Sequence, residues 1–186
     1  YIAKKIITHG SKIADAQFSM NPSDQNKFIK YIPHPLFKTT NNKIKRINNL
    51  EPFYLLFGMI LPYKQFDKVI TNWKSKSKLL IAGQSPSKEY LDYLYSLIQN
   101  QNITIDPNFQ SKESMSELFR STKSLILPQI NASCRVSSNL YLALSYNTTI
   151  MAIKDSFTDS IMTYHNLKNI FIYKDINKLC DSIDSN

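Results

Sequence analysis

The chain has 186 residues, of which 42% are hydrophobic and 12% aromatic, and this is enough for one domain with a substantial core. Its formal net charge of +9 comes almost entirely from lysine. A diffuse basic surface of this kind attracts an anionic membrane or a nucleotide, or only keeps a protein soluble. Because the chain has no arginine cluster, zinc-ligand spacing or RNA-binding motif, we do not expect nucleic acid as a partner.

Two further observations bound the class of protein. Cys134 and Cys180 lie far apart in sequence and are typical of reduced thiols in an intracellular protein. No apolar run approaches the roughly 18 residues of a membrane-spanning helix. The chain starts at Tyr1, inside a strand-like pattern, so we expect it to be a fragment of a longer protein.

The first 50 residues predict a small, separate unit. The pattern favours a strand over 4–9, a helix over 11–20 that begins at a capping serine, and a strand over 28–32 that stops at Pro33, His34 and Pro35. From 36 to 50 the composition changes to Lys, Asn and Thr with little periodicity, which is typical of a linker. We therefore predict a domain boundary at 36–50.

The stretch 55–83 predicts a β-α-β unit. Residues 53–58 and 78–83 are short, unbroken apolar runs, as in strands covered by helices on both faces of a parallel sheet. Between them Phe66, Val69, Ile70 and Trp73 recur at helical spacing. The turn between the first strand and this helix carries Lys64 and could hold a phosphate.

Alternating strands and helices continue to the end of the chain. Further strands are predicted over 102–106, 123–127, 148–153 and 169–173, and further helices over 85–98, 111–120, 138–146 and 176–183. This order favours an α/β fold with a Rossmann-like, doubly wound parallel sheet. Ligands of such sheets bind at the carboxyl ends of the strands. Gly58 and Gly83 each end a predicted strand and would leave two low-bulk turns there.

Five stretches follow one another in the order IPHPLF, LFGMILPYKQFDKVITNW, LLIAGQ, SELFRSTKSLILP and SSNLYLALSYNTTIMA. Their order resembles the C-terminal, nucleotide-sugar-binding half of GT-B glycosyltransferases of family 4, in particular bacterial polysaccharide enzymes. The resemblance covers nearly all of the chain. It implies that 1–35 are a remnant of the N-terminal acceptor domain, 36–50 a linker, and 51–186 the donor-binding domain.

The resemblance also implies roles for particular residues. Lys64 matches the lysine that contacts the donor diphosphate in this family, where an ammonium would neutralise charge on the leaving nucleoside diphosphate. Ser137, Ser138 and Asn139 match the turn before a helix whose N-terminus takes the phosphates, although an ordinary serine cap is an equal interpretation. The remaining candidates are Gly58 and Arg135 for the diphosphate, and Gly83, Gln84, Phe109 and Gln110 for the base and the donor pocket. Phe109 would stack on a base, whereas burial against a helix is the commoner fate of such a side chain.

Several positions depart from the family pattern. Met59 stands where the family has an arginine, Gln65 where it has a glycine, and Cys134 and Leu142 where many relatives have glutamates. Two interpretations follow. The chain is the donor domain of an active enzyme, or it is a degenerate domain that serves as a partner or scaffold in a polysaccharide assembly complex. A sugar-nucleotide epimerase and a response regulator are weaker alternatives, because a glycine-rich first turn and clustered aspartates are missing.

If the chain belongs to an active enzyme, the resemblance implies a retaining, metal-independent transferase that moves a hexose from a UDP- or GDP-sugar to a glycan or lipid-linked acceptor. The resemblance implies no cofactor, since the nucleotide-sugar donor is a substrate. The expected location is the cytoplasm, either free or peripheral on the inner face of the cell membrane. His34 lies between two prolines at the interdomain position, where it shapes the cleft or, as is commoner, has a structural role. His9 ends a predicted strand and His165 lies in a late loop, and neither has partners at metal-ligand spacing.

Overall fold

The computed structural model describes residues 17–39, 51–129 and 137–183. Their strands form two parallel sheets. The smaller sheet pairs β1 (Gln17–Ser19) with β2 (Ile29–Tyr31), joined through a 3₁₀ turn at Pro22–Asp24. The larger sheet has six strands: β3 (Phe53–Phe57), β4 (Lys78–Ala82), β5 (Ile103–Asp106), β6 (Ser124–Leu127), β7 (Thr149–Ile153) and β8 (Ile170–Tyr173).

The order of the six strands is β5-β4-β3-β6-β7-β8, and every neighbouring pair is parallel. The chain therefore winds outward from β3 in one direction, then returns to the other side of β3 with β6. This is the doubly wound order of Rossmann-like folds, and the crevice between β3 and β6 is its topological switch point. The predicted fold class is confirmed.

Six helices of the described residues cover the two faces of this sheet. They are α1 (Phe66–Asn72), α2 (Lys88–Leu97), α3 (Lys112–Ser121), α4 (Ser138–Ser145), α5 (Ser156–His165) and α6 (Ile176–Asp181). Since successive side chains of a strand point to opposite faces, Leu56 packs with α1, α2 and α6, while Leu55 packs with α3, α4 and α5. The predicted stripe of α1 is buried: Phe66, Val69 and Ile70 are at most 3% exposed.

Two parts of the chain differ from the sequence expectation. The predicted helix over 11–20 is wrong in its described part, because residues 17–19 form β1; pairing with β2 outweighs the local helical pattern. Helix α5 was not expected, and His165 is its last residue rather than part of a loop. Asp155 caps this helix by accepting a hydrogen bond from the Thr158 backbone, and Phe157 and Ile161 bury its inner face.

Residues 31–37 pack on helices α4 and α5. The Tyr31 hydroxyl lies 2.8 Å from His165 Nε2, and the His34 ring stacks on Tyr141 with centroids 4.8 Å apart. The Phe37 backbone donates a hydrogen bond to Ser145 Oγ at 2.8 Å. Of the predicted linker only residues 36–39 are described, so the division into acceptor remnant, linker and donor domain stays a prediction.

Candidate functional site

The turn that follows β3 is built to approach the next strand closely. Gly58 has φ +93° and donates its backbone hydrogen bond to the Ala82 carbonyl at 2.9 Å. Ile60 then donates to the Gln84 carbonyl at 2.9 Å. Pro62 opens a 3₁₀ turn, Pro62–Lys64, because proline sets φ for a first helical position and needs no backbone partner. This turn directs Lys64 back towards the end of β3.

Lys64 is a buried cation. Its side chain is 7% exposed, its Nζ donates to the Phe57 carbonyl at 3.3 Å, and it lies 5.8 Å from the centroid of the Phe66 ring. Burial lowers the pKa of this lysine from 10.5 to about 8. Among the described residues no carboxylate forms an ion pair with it. The ammonium is thus held at the carboxyl end of the sheet with its charge uncompensated by a described acid.

Asn139 meets Lys64 at the same backbone atom. Its Nδ2 donates to the Phe57 carbonyl at 2.7 Å, although the two residues are 82 positions apart. A Cβ on Gly58 would lie 2.9 Å from Lys64 Nζ and 3.1 Å from Asn139 Nδ2, so a larger residue at this position would displace the ends of both side chains. The switch point between β3 and β6 therefore holds one cation and one amide donor side by side.

Ser137 and Ser138 lie at the start of α4. The Ser137 hydroxyl accepts a hydrogen bond from the Leu140 backbone at 3.4 Å, and its residue is 6% exposed. Ser137 is therefore an N-cap, and its hydroxyl is engaged in that role. Ser138 is exposed in the first turn, where backbone N–H groups of a helix favour an anion.

Gly83 fixes the distance between the turns after β3 and β4. It has φ +142°, and a Cβ at this position would lie 2.4 Å from the Gly58 carbonyl oxygen. Its backbone donates to the Asp106 carbonyl at 3.0 Å, which joins the turn to the end of β5. Gln84, the next residue, is exposed at the carboxyl end of the sheet.

The loop after β5 is braced by its own side chains. Asp106 accepts hydrogen bonds from Asn108 Nδ2 at 2.7 Å and from Gln110 Nε2 at 2.8 Å. Gln110 Oε1 accepts one from Ser114 Oγ at 2.6 Å, so both ends of the Gln110 amide are engaged. Phe109 is 79% exposed on this braced loop. The expectation that Phe109 is buried against a helix is therefore wrong. Its stacking on a base stays a prediction.

The structure brings Lys64, Gly58 and Asn139 together and places Ser137 and Ser138 at the start of the same helix as Asn139. Arg135 and Cys134 lie outside the described residues. Of the family departures, Met59 is 53% exposed beside Gly58, and Leu142 is buried in the core. Sequence reasoning missed Asp106 as the residue that braces the Phe109 loop; the signal was an aspartate at a strand end followed by Pro107 and Asn108, a turn-forming pair.

The described ranges contain neither a metal-binding cluster nor a membrane-spanning helix. No group of three or more His, Cys, Asp and Glu side chains in the described ranges could hold a metal ion. No helix in those ranges is long and apolar enough to cross a membrane.

The fold is shared with solved glycosyltransferases at low sequence identity. The C-terminal domain of LpcC, a glycosyl transferase group 1 family protein from Francisella tularensis, matches with a TM-score of 0.55 at 14% identity over 72% of this chain and 74% of that chain. AviGT4, a glycosyltransferase involved in avilamycin A biosynthesis, matches with a TM-score of 0.54 at 13% identity over 70% and 41%. Alr3699/HepE of Anabaena, solved in complex with UDP, matches with a TM-score of 0.70 at 11% identity over 95% and 55%.

These matches show that the chain has the Rossmann-like fold of the C-terminal domain of GT-B glycosyltransferases. The chain spans 41% of AviGT4 and 55% of Alr3699/HepE. No protein-family model matches the sequence, and no curated protein matches it.

Proposed function

We propose that the chain is the nucleotide-sugar-binding domain of a glycosyltransferase. It would move a hexose from a UDP- or GDP-sugar to a glycan or lipid-linked acceptor in surface polysaccharide biosynthesis, in the cytoplasm and without a metal ion. The observation that carries this proposal is the buried Lys64 ammonium beside the Asn139 amide at the switch point, where the fold places ligands. Alr3699/HepE, which shares the fold, was solved in complex with UDP, and this supports a nucleotide as the ligand.

The chemistry follows from the burial of Lys64. With a pKa of about 8, Lys64 is mostly protonated at pH 7 and yet largely removed from water. A fixed charge in a water-poor site interacts strongly with negative charge and needs no solvent rearrangement. When the glycosidic bond to the sugar breaks, the leaving diphosphate gains negative charge. Lys64, with the N-terminus of α4 and the Asn139 amide, would stabilise that charge.

Binding and its dependence on Lys64 can be measured by calorimetry with UDP, GDP, ADP and pyrophosphate. We expect the chain to bind UDP or GDP, and Lys64→Ala to bind it about 30-fold more weakly, since a charge-assisted hydrogen bond contributes about 1.5–3 kcal/mol. The matched control is Lys68→Ala, which removes an exposed lysine from α1 and should leave the affinity unchanged. Affinity should also fall as the pH rises through about 8, where free Lys64 loses its proton.

Absence of binding by every nucleotide, or equal affinity of Lys64→Ala and the wild type, contradicts the proposal. Release of UDP or GDP from a sugar nucleotide, assayed in parallel, separates an enzyme from a binding domain.

A second function, a non-catalytic partner in a polysaccharide assembly complex, is favoured by the departures from the family pattern. Met59 is exposed at the phosphate turn where the family has an arginine, and Leu142 is packed in the core where many relatives have an acid. Turnover of any sugar nucleotide by the chain rules this function out.

A further inference from the structure

The two ends of the six-stranded sheet differ in charge. The amino end of the sheet is defined here as the segments that enter its strands. The carboxyl end is defined as the segments that leave its strands. Each segment includes the two nearest residues of the strand and of the helix that it joins. Within the described residues, the amino end has six cations and two carboxylates: Lys74, Lys76, Lys78, Arg120, Lys123 and Lys168, with Glu51 and Asp181. The carboxyl end has five lysines and six carboxylates: Lys64, Lys88, Lys112, Lys154 and Lys174, with Asp67, Glu89, Asp106, Glu113, Asp155 and Asp175.

The two carboxylates of the amino end are already neutralised. Glu51 Oε2 lies 2.6 Å from Lys78 Nζ, and Asp181 Oδ2 lies 3.9 Å from the Nζ of Lys178 on its own helix. The other four lysines of this end are exposed, and none forms an ion pair with a described carboxylate: Lys74, Lys76, Lys123 and Lys168. The amino end therefore presents an excess of positive charge to its surroundings.

The strand order spreads these lysines along a line. Lys74 and Lys76 precede β4, Lys123 precedes β6 and Lys168 precedes β8, which are alternate strands of the sheet. With neighbouring strands about 4.8 Å apart, the lysines span about 19 Å at intervals of about 10 Å. Two hydrogen bonds hold the loop that carries Lys74 and Lys76: Trp73 Nε1 donates to the Ser77 carbonyl at 3.0 Å, and Asn100 Nδ2 donates to the Ser75 carbonyl at 3.0 Å.

The same end has features that suit a phospholipid headgroup and its interface. A recess of about 350 Å³ opens there, lined by Arg120, Lys123, Tyr146, Asn147 and Thr149, among other residues. The Arg120 guanidinium lies 5.5 Å from the centroid of the Tyr146 ring, which holds it at the wall of the recess. Tyr95 and Tyr164, in the last turns of α2 and α5, are 45% and 55% exposed. Tyrosine is enriched at the level of lipid headgroups.

We propose that the amino end of the sheet docks on a bilayer that contains anionic phospholipids. Each lysine near such a surface adds attraction, and four to eight of them are enough for recognition. Five of the six cations are dispersed lysines rather than the arginine forks that read nucleic acid, so a bilayer is the partner that fits. The proposed nucleotide site lies at the opposite, carboxyl end of the sheet. The proposal does not depend on nucleotide binding.

Co-sedimentation with vesicles tests this surface against a charge-matched control. The test variant replaces Lys74, Lys76, Lys123 and Lys168 by Gln; the control replaces Lys88, Lys112, Lys154 and Lys174 by Gln at the carboxyl end. Both lose the same net charge. With vesicles containing about one third phosphatidylglycerol in phosphatidylcholine, in about 0.1 M salt, we expect the test variant to bind at least about tenfold more weakly and the control to bind as the wild type does.

Equal losses in the two variants, or equal binding of the wild type to vesicles of phosphatidylcholine alone, would overturn the proposal. So would tighter binding of the wild type to a short DNA duplex than to the anionic vesicles, with loss in the same test variant. Thermal melts of both variants establish that each is folded. Calorimetry with UDP reports on the nucleotide site separately, so that its failure and the failure of membrane docking are distinguished.

Discussion

Lysine is used in opposite ways at the two ends of the sheet. At the carboxyl end Lys64 is 7% exposed, its pKa is lowered by burial, and its ammonium shares a carbonyl with Asn139. At the amino end Lys74, Lys123 and Lys168 are exposed and solvated. A buried cation costs folding free energy and gains a strong interaction with one well-placed anion, whereas an exposed cation costs little and adds a weak, additive attraction.

The turns at the two ends also differ in how much space they leave for a side chain. Gly58 and Gly83 are in contact at the carboxyl end and leave no space for a side chain. At the amino end the turn after α5 uses Asn166, with φ +49°, in ordinary left-handed geometry. The backbones at Gly58 and Gly83 approach more closely than a side chain would allow, so we expect substitution at Gly83 to be tolerated less well than substitution at Asn166.

The largest effect is expected from a methyl group added at Gly83. In Gly83→Ala the Cβ would lie 2.4 Å from the Gly58 carbonyl oxygen, in a backbone conformation that L side chains rarely adopt. Strain and forced separation of the two turns should lower the free energy of unfolding by about 2–4 kcal/mol, measured by urea denaturation. Asn166→Ala is the control at the amino end, and its loss should be about 1 kcal/mol, the cost of the left-handed conformation alone. Equal losses would mean that the two ends do not differ in tolerance.

The next prediction concerns the stability cost of Lys64. Below pH 8 this lysine is protonated in both the folded and the unfolded chain, and the folded state carries the full cost of burying the charge. Lys64→Met should therefore raise the free energy of unfolding at pH 7, by up to about 3 kcal/mol. The Phe57 carbonyl keeps the Asn139 amide as donor in this variant.

The same variant has a defined pH dependence. As the pH rises from about 8 towards 10.5, wild-type Lys64 loses its proton in the folded state first, so the wild type gains stability relative to Lys64→Met and the difference closes. Denaturation series at pH 7 and pH 10 measure it. Lys68→Met, at an exposed position on α1, should show no such change with pH. A Lys64→Met protein less stable than the wild type at pH 7 would show that Lys64 contributes net stability.

Most of the fold could be predicted from the sequence because the strands of a parallel sheet are buried on both faces. Leu55 and Leu56 face opposite layers, and both are fully buried, so the run reads as unbroken apolar sequence. Helix α5 was missed because Phe157 and Ile161 are nearly its only buried apolar residues. Its one clear signal, Asp155 as an N-cap, is a single residue.

The site could be predicted only in part, for a related reason. The turn with Lys64 and the start of α4 were each visible as local patterns. That Lys64 and Asn139 donate to one carbonyl depends on the strand order, which places β6 beside β3 and the following helix over its end. The burial of Lys64, and hence its lowered pKa, is equally a property of the assembled core.

The smallest effect on stability and affinity is expected from substitution of Phe109. This side chain of the carboxyl end is exposed, as the lysines of the amino end are. Phe109 is 79% exposed, so Phe109→Ala should leave the melting temperature unchanged, as should Phe171→Ala on β8, which is 51% exposed. If the base of the nucleotide stacks on Phe109, the affinity for UDP should fall by about five- to tenfold in Phe109→Ala alone, since stacking on an aromatic side chain contributes about 1–3 kcal/mol.

Calorimetry with UDP and with pyrophosphate locates the loss. Phe109→Ala should weaken the binding of UDP and leave the binding of pyrophosphate unchanged, whereas Lys64→Met should weaken the binding of both. Equal binding of UDP by the Phe109 and Phe171 variants would remove Phe109 from the proposed base site and leave the proposed contact of Lys64 with the diphosphate as the basis of recognition.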